Sequence, residues 1–146
     1  MRHSMKHYRA NRIKREKNFH RAFLKILLKA PMKNIVFKGN RISLSYFGHR
    51  ISDKIVTKRV DHVGEWSRRR REVFIDNAIP GKKDFRSLCV HELIEKFLCE
   101  KFGLNLDDEA HVVATQKGKE YIESVGGNWR SHQDIVFWDW HKRGER

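Results

Sequence analysis

Apolar residues at Phe19, Phe23, Ile26 and Leu27 follow the i, i+4, i+7, i+8 spacing of one helix face, and Pro31 closes that segment. The period then changes to two. Ile35 and Phe37, then Ile42, Leu44 and Tyr46, alternate with other residues on either side of Gly39-Asn40. Alternation around a two-residue Gly-Asn connection predicts a β-hairpin. Residues 54–60 (Ile55, Val56, Val60) predict a third strand, and Glu72–Asp76, with Val73-Phe74-Ile75 inside it, a fourth. Residues 61–70 between them read as a loop, and residues 77–83, with Pro80-Gly81, as a turn.

The helical period returns at residues 84–102, with Asp84 as N-cap and Gly103 as the residue just past the end. Acids in the connection 105–108 suit the start of a second helix, residues 109–125, which ends at Gly126-Gly127 and has Gly118 as a weak point. The tail from Trp129 is aromatic and polar, and residues 135–140 read as a short strand or an irregular cap. Residues 1–14 lack an apolar period and read as a mobile basic arm, leaving residues 15–146 as one domain. Helix, strands, helix, helix is the order of an α+β fold, here with a small, mostly antiparallel sheet.

Composition narrows the function classes. A chain of 146 residues can bury a core without disulfides. It holds no apolar run of about 18 residues, so no membrane span is expected. The basic N-terminus is not followed by the apolar stretch of a secretory signal. Cys89 and Cys99 lie ten residues apart on one predicted helix. That separation rises about 15 Å, beyond the reach of a disulfide. Both are expected as free thiols in a cytoplasmic protein, with a virion-associated one as the other setting. The balance of 32 Lys+Arg against 18 Asp+Glu, net +14, suits either a polyanion partner or a surface tuned for solubility or heat. Ten of the cations and a single acid, Glu16, lie in residues 1–29.

The helix at 84–102 carries the candidate chemistry. At about 100° per residue, Glu95 falls about 40° from His91, while Arg86, Lys96 and Glu100 gather on the opposite side. His91 and Glu95 therefore point inward, with Leu88, Leu98 and Phe102 around them. An inward carboxylate must be protonated, paired or metal-bound, and an imidazole one turn away favours a metal. Catalytic zinc takes three protein ligands and keeps one position open. His111, on the first turns of the next helix beyond a short loop, is the expected third, with Asp108, Glu109 and Glu120 as other candidates. Ala110 and Ala114 beside it permit close helix approach. Glu92, about 100° from His91, flanks the pair as a general base. The bland alternative is a buried Glu95 paired with His91 or an arginine.

His91-Glu92-x-x-Glu95, with a strand ending at Ile75-Asp76 upstream, resembles the active-site region of zincin metallopeptidases, where an edge strand, a turn, an H-E-x-x-H helix and a third-ligand helix follow in order. H-E-x-x-E followed by Ala110-His111 is similar to a variant in small phage and archaeal proteins. The resemblance spans about residues 71–125. It implies one zinc ion on His91 and His111, Glu92 as the base, Glu72–Asp76 as the edge strand, and a peptide or protein substrate. Glu95 stands where the usual motif has a second His. A two-His-one-carboxylate set is ordinary zinc chemistry, but a carboxylate ligand lowers the charge that activates water.

Two further features bear on partners. Arg68, Arg69, Arg70 and Arg71 form a run suited to phosphates or to plain solvation. Phe137, Trp138 and Trp140, followed by His141, Lys142 and Arg143, mix aromatics with cations as single-strand nucleic-acid binders do, though such aromatics more often cover a core. The expectations are thus a zinc-dependent peptidase, or a basic protein binding nucleic acid non-specifically with a structural or vestigial metal.

Overall fold

The computed structural model describes the backbone of residues 2–144 and the side chains of residues 14–140. It divides into two compact units, Met1–Ala30 and Pro31–Arg146. The first is one helix, α1 (Arg2–Lys29). The backbone of the segment expected as an arm is thus helical; its side chains before Lys14 lie outside the described residues. Phe19 and Ile26, two of the four apolar positions that mark this helix, are exposed.

The second unit carries the sheet and three helices. Its strands are β1 (Met32–Lys38), β2 (Arg41–Tyr46), β3 (His49–Lys58), β4 (Gly64–Ser67) and β5 (Glu72–Asp76). The helices are α2 (Lys82–Phe102), α3 (His111–Ser124) and α4 (Trp129–Gly144), with a π-helical turn at Leu106–Ala110 leading directly into α3. This is an α+β arrangement with a mixed sheet in the order β1-β2-β3-β5-β4. Three of its four pairings are antiparallel and β3–β5 is parallel.

The hairpin expected at Gly39-Asn40 forms with Lys38 opposite Arg41, and Gly39 takes the positive φ of 60° that a two-residue turn needs at its first position. A second tight turn, Phe47-Gly48, joins β2 to β3 with both residues at positive φ. β3 therefore begins at His49, earlier than its apolar pattern announces.

Two expectations about strands are corrected. Glu72–Asp76 is not the edge strand: β5 lies between β3 and β4, and β4 is the edge. Val73, Phe74 and Ile75 are all buried, and consecutive apolar residues are what a strand covered on both faces requires. The segment read as a loop at 61–70 contains β4, four residues too short to display a period.

α2 packs against β3, β4, β5 and α3, and is buried on nearly every side. Lys96, placed by the helical wheel on the solvent side, is instead buried in a 2.6 Å ion pair with Asp53 of β3. Asp84 is not the N-cap. Gly81 occupies that position without a side-chain bond, and Asp84 lies in the first turn. Gly103 ends the helix at φ 62°, donating back to Cys99 and Leu98 carbonyls as expected of a left-handed terminus. Gly118 is a contact rather than a weakness. Ser87 Oγ donates to its carbonyl at 2.9 Å, and a Cβ there would lie 3.2 Å from that hydroxyl, so α2 and α3 cross closely at this point. The tail expected as strand or cap is the helix α4. Cys89 and Cys99 are free and buried. Among the described residues no helix is long and apolar enough to cross a membrane.

Candidate metal centre

Asn105 starts the π-helical turn. Its side-chain oxygen accepts from the backbone N–H of Asp107 and Asp108, and its own N–H donates to Glu109 Oε1 at 2.7 Å. This reciprocal cap fixes where the third helix begins and so where His111 stands. His111 Nδ1 then lies 3.0 Å from Glu95 Oε2, and His91 Nε2 lies 3.0 Å from the same oxygen. The imidazole centroids are 4.8 Å apart in an edge-to-face arrangement. His91 and Glu95 are buried or nearly so, whereas the His111 side chain is 58% exposed. The helix-wheel expectation that His91 and Glu95 share an inward face is met, and α3 delivers His111 to them.

One donor atom from each of these three residues lies within 4.8 Å of the others, the one such three-residue group among the described residues. Zinc ligands about 2.1 Å from the ion in tetrahedral directions stand about 3.4 Å apart. Small side-chain rotations would bring two imidazole nitrogens and a carboxylate oxygen to that spacing, so the donor set fits zinc in both chemistry and size. The other candidates are engaged elsewhere: Glu109 accepts from Asn105, and Glu120 pairs with Lys117 at 3.0 Å. Asp108 is exposed on the turn.

Trp66 of β4 donates its indole N–H to Glu95 Oε1 at 3.1 Å. That bond turns the carboxylate so that Oε2 faces the two imidazoles, the kind of support a metal-binding carboxylate receives from its surroundings. Burial drives the Glu95 carboxyl upward, but hydrogen bonds from His111, His91 and Trp66, with the nearby charge of His91, outweigh it and hold it down at about 2. The same bond to Glu95 raises the His111 imidazole, against the lowering effect of its partial burial.

Glu92 is the opposite case. It is only 6% exposed. Burial, followed by the charges of Glu95 and Glu65, pushes it well above the usual carboxylate range. It lies under the edge strand: a Cβ on Gly64 would stand 2.6 Å from Glu92 Oε1, so glycine there leaves room for the side chain.

These groups line one side of a cleft of about 970 Å³. β4 forms a second side, and α4 a third with Trp129, Val136, Phe137 and Trp140. His132 of α4 also reaches the cleft. It is buried, stacks on Trp129 and lies with Nδ1 2.8 Å from Asp84 Oδ1, which fixes the ring. Sequence reasoning missed Trp66, His132 with its partner Asp84, and the α4 wall. The signal for the wall was present: Trp129, Gln133, Val136 and Trp140 are spaced four, three and four, a helical face. Trp66 had no such signal, because only pairing with β5 makes a strand of its segment.

Arg68, Arg69, Arg70 and Arg71 are exposed on the connection between β4 and β5 and are not among the residues that line the cleft. The Arg68 guanidinium sits 5.7 Å from the centre of the Trp66 ring. The side chains of His141, Lys142 and Arg143 lie outside the described residues. Compared with protein-family models, with curated proteins and with solved structures, the chain matches none.

Proposed function

We propose that this protein is a zinc-dependent hydrolase of zincin-like build that cleaves a peptide bond. The observation that carries the reading is the meeting of three ligand atoms from His91, Glu95 and His111 on the wall of an open cleft, with the buried carboxyl of Glu92 beside them. A purely structural zinc is closed by four protein ligands; here three converge, and His111 is largely exposed. The sequence of edge strand β4, central strand β5, ligand helix α2 and third-ligand helix α3 supports the zincin comparison, with β4 in the edge position.

Zinc, when bound, supplies Lewis-acid polarisation of the carbonyl and stabilises negative charge on oxygen. The chain's own residues supply the rest. Glu92, raised well above the usual carboxylate range by burial and like charge, takes a proton from the attacking water and delivers it to the departing amine. Trp66 and the two imidazoles keep Glu95 ionised and oriented. The α4 wall limits solvent access and offers apolar contact to a substrate. The test is zinc content of the purified protein together with peptide hydrolysis before and after chelation. One zinc per chain, with activity lost to the chelator and restored by zinc, is expected. A chain that binds no divalent metal overturns the proposal.

A second property rests on the exposed arginines at 68–71 and on the ten cations of residues 1–29. We propose that these cations bind nucleic acid without sequence preference, through phosphate contacts alone.

A further inference from the structure

The charge inside the cleft has the opposite sign to the chain as a whole. The chain holds 32 Lys and Arg, yet none lies among the described residues lining the cleft. The carboxylates that line it are Glu92, Glu95, Glu65 and Asp107. Glu95 belongs to the metal group and Glu92 to proton transfer, which leaves Glu65 on β4 and Asp107 on the π-helical turn with no role in either. Both line the cleft alongside the metal group.

The aromatic wall is the second observation. Phe137 and Trp140 are 56% and 52% exposed, although rings of this size usually cover a core. Both line the cleft, as do Trp129 and Trp66. Ring faces beside carboxylates form a setting that attracts a cation twice, by quadrupole and by charge. Glu92 faces the same space. Away from the metal group, a phosphate or an acidic side chain would meet the like charge of Glu65 and Asp107.

We infer that the cleft selects peptides carrying a Lys or Arg side chain, which enters between Glu65 and Asp107 and lies against the α4 aromatics. The inference rests on the hydrolase reading only for what happens to the bound peptide. None of the 32 cations lines the cleft among the described residues, and solvent-exposed charges more than about 8 Å from it are screened at physiological salt.

The test uses the full chain loaded with zinc and carrying Glu92→Gln, so that peptides bind without being cleaved. Three blocked pentapeptides, Ala-Phe-X-Phe-Ala with X as Arg, norleucine or Glu, are titrated by calorimetry. A cation–ring contact and a part-exposed ion pair each contribute a factor of a few, so the Arg peptide should bind about tenfold more tightly than norleucine, with Glu weakest. Adding Glu65→Gln and Asp107→Asn should bring Arg and norleucine within about twofold, with the zinc content unchanged. The single substitutions, checked by thermal melting, replace the double variant if it does not fold, and each should remove part of the preference. Equal binding of Arg and norleucine, or a preference that survives neutralisation, overturns the inference. Turnover of all three peptides by the parent without a cation preference refutes it alone. A cation preference with no turnover of any peptide refutes the hydrolase reading instead.

Discussion

Glu95 accepts hydrogen bonds from three side chains, so its substitution touches every part of the site. Glu95→Ala is expected to abolish zinc binding by titration and to remove the rise in melting temperature that zinc gives the parent. The pH dependence sharpens this. In the zinc-free protein Glu95 is lowered from 4.5 to about 2, so its contribution is present above pH 4.5 and lost as pH falls toward 2. His111 is raised above 6.5, so its contribution is full below pH 6.5 and lost as pH rises through its folded value. These are two sides of one ion pair, strongest from pH 4.5 to 6.5. Zinc must displace the His111 proton, so the gain in melting temperature on adding zinc should grow between about pH 5.5 and 7.5, while the zinc-free protein loses stability over the same range. A gain that does not change with pH would remove the histidines from the ligand set. Glu92 behaves differently. Its raised value means that its favourable contribution is present below 4.5 and disappears as pH rises through the folded value. Glu92→Gln should therefore bind zinc as the parent does, melt higher than the parent in zinc-free alkaline buffer, and lose hydrolysis. Retained hydrolysis would move the base to another residue.

At the scale of elements, β4 is small but sets two side chains at once. Trp66 reaches Glu95, and Gly64 leaves space over Glu92. Gly64→Ala would put a methyl 2.6 Å from Glu92 Oε1 and 2.9 Å from its Cδ and Cγ, so the carboxyl must swing aside. A misplaced base should cost about tenfold or more in kcat, with zinc affinity unchanged because no ligand atom is displaced. Steady-state kinetics beside a zinc titration separates the two, and an unaltered kcat would show that Glu92 has room to spare. Elements with a local signature were legible in the sequence: the hairpin at Gly39-Asn40, the left-handed stop at Gly103, and the shared face of His91 and Glu95. Elements made by their neighbours were not. β4 exists because β5 offers it a ladder, and the apolar run of β5 meant a covered strand rather than an edge. Lys96 was misplaced because a wheel assumes one solvent face, whereas α2 is enclosed on nearly all sides and Asp53 supplies the buried partner. The α4 period was hidden by the run Phe137, Trp138 and Trp140, whose alternation imitates a strand. The place of His111 beside His91 and Glu95 was legible because a glycine stop and a short connection leave the next helix few places to begin.

The whole molecule separates its charge by unit. Ten cations and one acid leave residues 1–30 at +9, and the remaining 22 cations and 17 acids leave Pro31–Arg146 at +5. All three proposed zinc ligands and the described cleft lining belong to the second unit. The two proposed activities can therefore be taken apart by truncation: polyanion binding that would lean on the first unit, and a cleft proposed to take cationic side chains in the second. Counterion release makes the first measurable, since log K falls with log salt in proportion to the number of phosphates neutralised. The full chain should bind duplex DNA at about 50 mM salt, weaken steeply toward 200 mM and show no sequence preference. Deleting residues 1–30 should flatten that slope by more than half, because most of the net charge goes with them, while one zinc per chain and the melting response to zinc persist. What binding remains should fall further when Arg68, Arg69, Arg70 and Arg71 are replaced by Gln, since that exposed run is the clustered cation surface left in the described residues of the second unit. Equal slopes for the full and shortened chains would assign the contact to the arginine run instead of α1. No binding by either form at about 50 mM salt would make the basic surface a device for solubility, leaving the metal site as the protein's one chemical proposal.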